Sequence, residues 1–184
     1  MGGNPAAVNW FAFVNDHKHG SGMTDATDAF RRIQTALINQ APWKVSQGYG
    51  SFINLHFGDV VTKRAKSGRK RTVGEWHIWI YCCGWRIFDK SSELVAHSES
   101  SREEIAHLLS QMQGTPLTAL DYEQSSGMLT ISFACGLTIR TFPQDENYRD
   151  AEYVLLYTPD RHVLSFGPNK ELAYRSSDTS RQFN

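Results

Sequence analysis

The sequence predicts an α+β fold: two similar helix–hairpin–hairpin halves forming mostly antiparallel sheet, with helices on one sheet face. Three observations lead there. Two segments, Ala26 to Leu37 and Ile105 to Met112, carry apolar residues at helical spacing. Several short runs alternate apolar and polar residues across Gly-, Asp- or Pro-containing turns, which favours antiparallel pairing. The second half also reads as a blurred copy of the first. Phe52-Ile53-Asn54-Leu55-His56-Phe57-Gly58 is echoed by Met128-Leu129-Thr130-Ile131-Ser132-Phe133, and Trp76-His77-Ile78-Trp79-Ile80-Tyr81 by Tyr153-Val154-Leu155-Leu156-Tyr157. Phe57 and Phe133 lie 76 residues apart and the second pair of segments is offset by 77, so one offset nearly registers both. A period that long is no solenoid unit and suits two copies sharing a core or a sheet.

Taken in order, residues 1–23 read as a flexible leader or as residues foreign to the fold. The first repeat spans 24–97. Thr24 or Asp25 caps a helix whose apolar face is Ala26, Ala29, Phe30, Ile33 and Leu37, and Pro42 stops it. Gly48 and Gly50 introduce a strand with Ile53, Leu55 and Phe57 on one face and Asn54 and His56 on the other. Gly58-Asp59 fits a two-residue hairpin turn, with Val60 and Val61 returning and residues 63–74 forming a long basic connector. The next strand sets Trp76, Ile78 and Ile80 against His77, Trp79 and Tyr81. Cys82-Cys83-Gly84 reads as a turn into a partner strand at Trp85 and Ile87.

The second repeat spans 98–175. Ser100 or Ser101 opens a helix with a capping box to Glu103 or Glu104, and Gly114 ends it. Hairpins follow over Leu129 to Phe142 and Tyr153 to Phe166, separated by an acidic loop from Pro143 to Asp150. The tail after Tyr174, including 176–184, is Ser-, Asp-, Thr- and Arg-rich and reads as disordered.

Composition narrows the function classes. At 184 residues the chain buries roughly 70% of its unfolded surface on folding, so neither disulfides nor a metal is required. Formal net charge is zero, yet Lys63, Arg64, Lys66, Arg69, Lys70 and Arg71 place six of nineteen basic residues within nine positions. The rest of the chain carries 13 basic against 19 acidic residues, which excludes a uniformly basic nucleic-acid coat. Three cysteines, two of them adjacent, make neither a disulfide framework nor a zinc or thioredoxin-like spacing. No apolar run reaches membrane-spanning length, and the opening segment lacks the features of a secretory signal. A cytoplasmic protein without cofactor or metal is the expectation.

The best candidate site is the second face of the tryptophan strand, His77, Trp79 and Tyr81, with Asn54 and His56 beside it. Trp and Tyr supply large, rigid recognition surface with a polar tip. The alternative is a central strand covered on both sides, which its two-sided apolar character favours. The basic stretch is a candidate for contacting phosphates or an acidic protein surface, against a plain solvated connector. No HExxH, Gly-x-Ser-x-Gly or phosphate-binding glycine loop occurs.

Leu129-x-Ile131-x-Phe133, Gly136-Leu137-x-Ile139, the acidic loop and Tyr153-x-Leu155, with Phe57-Gly58-Asp59 and Gly74-Glu75-Trp76 through Trp85-Arg86-Ile87, give the chain a likeness. It resembles a group of uncharacterised small bacterial α+β proteins, some regarded as immunity proteins that neutralise a toxin by binding it. The resemblance implies a non-enzymatic partner-binding protein and carries no catalytic residue. Trp79, Tyr81 and His77 would then anchor a protein partner, with the basic stretch steering it. The alternatives are a nucleic-acid-binding module using residues 63–71 and an enzyme with a site between the halves. A homodimer through an open sheet edge is a further expectation.

Overall fold

The structure, a computed structural model, describes residues 22–64, 68, 70–143 and 151–177. It is α+β and mostly antiparallel, as the sequence predicts, with two helices and eleven strands among the described residues. Helix α1 (Gly22–Leu37) begins two residues before Thr24 and buries Ala26, Ala29, Phe30, Ile33 and Leu37. Helix α2 (Arg102–Met112) takes Ser101 rather than Ser100 as its cap. The Glu104 N–H donates to Ser101 Oγ at 3.2 Å, and the Ser101 N–H donates to Glu104 Oε2 at 3.1 Å.

The strands are β1 (Lys44–Gln47), β2 (Ile53–Arg64), β3 (Lys70–Ile80), β4 (Cys83–Phe88), β5 (Leu94–His97), β6 (Leu117–Glu123), β7 (Met128–Phe133), β8 (Thr138–Pro143), β9 (Val154–Tyr157), β10 (His162–Phe166) and β11 (Leu172–Ser176). They form two sheets. Sheet A runs β1-β2-β3-β9-β10-β11 and sheet B runs β5-β4-β8-β7-β6. The inner faces of both sheets and the buried faces of both helices form one apolar core that crosses the two halves. The helices do not share one sheet face. Helix α1 lies against β11, β10 and β6, and α2 against β1 and β5, so each follows a seam where an edge of sheet A meets an edge of sheet B.

The two strand orders correspond. Sheet A places β9-β10 after β1-β2-β3, and sheet B places β4-β5 after β6-β7-β8. Each half therefore gives three strands to one sheet and its next two to the other, and β11 is added at the edge of sheet A. On this correspondence β3 matches β8. The segments Trp76 to Tyr81 and Tyr153 to Tyr157, which echo one another in sequence, are instead neighbours in sheet A, with His77 opposite Tyr157 and Ile80 opposite Val154.

Several local expectations change. Gly58-Asp59 is a bulge inside one long strand, since Phe57 pairs with Trp76 and Val60 with Gly74. A glycine at φ 66° serves a bulge as well as a turn, so only the distant pairing distinguishes them. The basic stretch is the outer part of the β2–β3 ribbon, with Lys63 opposite Arg71 and Arg64 opposite Lys70, rather than an irregular connector. Lys66 and Arg69 lie outside the described residues. After Cys82 the chain does not turn back on β3. It crosses to sheet B, where β4 pairs with β5 and β8. Strand β11 carries order past Tyr174 to Ser176, and residues 178–184 lie outside the described residues, as do 1–21.

Candidate functional site

Alternation along sheet A sends Ile53, Leu55, Phe57, Ile78, Ile80, Val154, Leu156, Leu164 and Phe166 into the core. The intervening residues share the outer face. There the cross-strand registers make two rows. One runs His56, His77, Tyr157, Val163 and Arg175; the next runs Asn54, Trp79, Leu155, Ser165 and Ala173. Asn54, His56, His77, Trp79 and Tyr81, the residues singled out from the sequence, are thus brought onto one face. His56, Leu155, Val163 and Ser165 are buried, while Asn54, His77, Trp79, Tyr81 and Tyr157 are half-buried. The face is neither a sealed core layer nor a plain solvated one.

The first row is a continuous stack of rings across the sheet. Trp43 lies parallel to His56 (centroids 5.5 Å apart, planes at 26°), His56 to His77 (4.3 Å, 20°) and His77 to Tyr157 (5.6 Å, 12°). Lys63 Nζ closes its far end, 5.8 Å from the Tyr157 ring centroid. Beyond it, Trp79 of the second row stacks on Tyr81 at 4.6 Å, and Phe52 makes a T-shaped contact with each at 6.1 Å. Because ring faces are used against one another, the row presents mainly ring edges outward.

Hydrogen bonds fix the two imidazoles. The buried N–H of Gly74, beside the bulge, donates to His56 Nδ1 at 3.1 Å, which puts the His56 proton on Nε2. His77 Nε2 lies 3.0 Å from Asn54 Oδ1, an acceptor, so that nitrogen donates. Both rings are held neutral. Burial, then the Lys44 cation, pushes the His56 pKa down to about 4. Burial, then His56 and Lys63, pushes His77 down to about 3. Burial and the Glu152 carboxylate raise the Tyr157 phenol to about 12, and burial first raises Tyr81 as well. Toward β11, Arg175 pairs with Glu152 Oε1 at 2.6 Å and donates to Ser165 Oγ at 2.7 Å.

The basic residues continue from this face. Lys63, Lys70 and Arg71 are exposed, and the ion pairs among the described residues, Arg31–Asp28, His162–Asp160 and Arg175–Glu152, include none of them. Sequence reasoning missed Trp43, Phe52 and Tyr157. The period of two signalled Tyr157 beyond Leu155 and Phe52 before Asn54 and His56, whereas Trp43 lies outside the strands and carried no such signal. The cysteines do not gather: Cys83 is buried with Sγ 3.7 Å from the Tyr153 carbonyl, Cys82 is half-buried and Cys135 is exposed. No group of three His, Cys, Asp or Glu side chains able to hold a metal occurs among the described residues. No helix among them is long and apolar enough to cross a membrane.

Fold and site together describe an α+β protein of two antiparallel sheets, one carrying a ring-lined outer face and a projecting basic ribbon. Comparison with family models, with curated proteins and with solved structures finds no match to this chain.

Proposed function

We propose that this chain is a non-enzymatic binding protein of immunity type, occluding a protein partner with the outer face of sheet A. One observation carries this reading: the rings of that face, His56 buried and His77, Trp79, Tyr81 and Tyr157 half-buried, are uncharged and held by stacking and hydrogen bonds before any partner arrives. A preorganised aromatic surface loses little side-chain entropy on binding. Trp79, Tyr81 and His77 are the anchors, and Lys63 and Arg71 steer an acidic partner toward them. The likeness to small bacterial immunity proteins points the same way, and the matching strand orders support reading the two halves as copies.

The other readings have less support. Nucleic-acid binding through residues 63–71 gains the ribbon's shape, since a two-stranded ribbon fits a major groove. It loses base stacking, because residues 63–71 include no aromatic side chain. For an enzyme, two grooves lie beside α1 and α2, and neither is lined by His56 or His77. A homodimer through the outermost strands β1, β11, β5 and β6 is disfavoured because each has a helix against it.

The test is an affinity capture from native lysate, with and without nuclease. The expected outcome is one protein that survives nuclease and is lost with Trp79→Ala. Loss of all partners on nuclease treatment would move nucleic acid to first place.

A further inference from the structure

The β2–β3 ribbon outgrows its sheet. Strand β1 pairs with β2 only from Ile53 to His56, and β9 pairs with β3 only from His77 to Ile80. The ribbon beyond Phe57 and Trp76 therefore has no third strand on either side among the described residues. The Gly58-Asp59 bulge and the tight approach at Gly74, where a Cβ would lie 2.6 Å from the Phe57 carbonyl oxygen, set its exit. Stepping by twos from His77, Glu75, Val73 and Arg71 share the ringed face. The bulge brings Val61 opposite Val73 and Lys63 opposite Arg71 on that face. The approach of Lys63 to the Tyr157 ring agrees with this placement.

Like charges directly opposite in a ladder destabilise it. Here Lys63 faces Arg71, and the rest of the chain has an excess of acidic residues. An anionic partner between or beside them would offset that repulsion. The outer face alternates an apolar pair, Val61–Val73, with a cationic pair, Lys63–Arg71, at the spacing of a β-strand's own side chains. A phosphate backbone has nothing apolar to set on the valines; a polypeptide strand does.

We propose that the ribbon takes an extended acidic segment of the partner protein as an added strand. On the edge it joins, its carboxylates lie beside Lys63 or Arg71 and an apolar side chain two residues away lies beside Val61 or Val73, the other strand's residues standing one strand further in. This rests on the protein-binding reading above and gives the partner its chemistry.

The test titrates the full chain with three labelled probes: a synthetic peptide alternating Glu and Val, a peptide of the same composition with Glu and Val in separate blocks, and a short DNA duplex. The alternating peptide should bind roughly tenfold tighter than the block peptide. Lys63→Glu with Arg71→Glu should abolish that binding, while Lys63→Arg with Arg71→Lys keeps it and unchanged circular dichroism shows that both variants fold. Equal binding of the two peptides, tighter binding of the duplex, or no binding of the alternating peptide would each overturn the proposal. Failure of the broader reading looks different: the alternating peptide binds, yet Trp79→Ala still captures the lysate partner undiminished.

Discussion

Seen from the core, the β2–β3 and β7–β8 hairpins are alike. Ile53, Leu55 and Phe57 in one and Leu129, Ile131 and Phe133 in the other are buried at the same spacing, on the strands that correspond in the two sheet orders. Seen from outside they part. Asn54, His56, His77 and Trp79 belong to a ring-lined face, whereas the β7–β8 face offers Thr130, Ser132, Thr138 and Arg140. In sheet B, Arg86 lies opposite Arg140 and each guanidinium sits over a phenylalanine, Arg86 over Phe142 at 4.8 Å and Arg140 over Phe88 at 4.7 Å. That arrangement covers apolar rings with solvated charge. The two faces of a strand answer to different constraints: inward alternation sets the fold, and the outward residues are free to take on a task.

The largest effects should fall where the hairpins agree. Phe57→Ala and Phe133→Ala each remove a buried phenyl group, and each should cost about 3–5 kcal/mol in denaturant unfolding. A difference greater than that spread would mean the two inner faces are not equivalent. The next effect separates the outer faces. His56→Phe keeps a ring in the stack but leaves the Gly74 N–H without its acceptor, and should cost about 1–3 kcal/mol. Ser132→Ala, at the matching place in β7, gives up a half-buried bond from Thr138 and should cost no more than about 1 kcal/mol.

Acid gives a graded version of the same contrast. His56 and His77 stay neutral in the folded protein down to about 4 and about 3, while in the unfolded chain they titrate at their ordinary 6.5. Below 6.5 the unfolded state binds protons that the folded state refuses, so stability is full above 6.5 and is lost as pH falls toward 4. Each histidine should contribute a slope of about 1.4 kcal/mol per pH unit across that window. Unfolding midpoints measured through it should fall more shallowly in His56→Phe than in the wild type. An unchanged slope would show that His56 is not held neutral by its place in the stack.

Much of this was written locally in the sequence. The capping box at Ser101, the stripe of α1 and the period of two that gathers His77, Trp79 and Tyr81 all arise within one turn or one strand. What was hidden depends on distant pairing. Gly58-Asp59 suits turn and bulge equally until Val60 finds Gly74. Cys82-Cys83-Gly84 has the composition of a turn, but Trp85 and Ile87 find their partners in β8 and β5. The short edge strands β1, β5 and β11 owe their existence to neighbours more than to their own four or five residues. The basic stretch looked like a connector because charge masks strand pattern, although Val61, Lys63, Arg71 and Val73 keep the alternation.

The central claim is that the ringed face of sheet A, and not the solvated face of sheet B, meets the partner. The most direct measurement compares the captured partner's affinity for wild type, Trp79→Ala and Arg140→Ala, each confirmed folded by circular dichroism. Trp79→Ala should weaken binding by about 2 kcal/mol or more, the cost of losing an aromatic anchor, with Arg140→Ala close to wild type. Full affinity in Trp79→Ala, or an equal loss in Arg140→Ala, would contradict it.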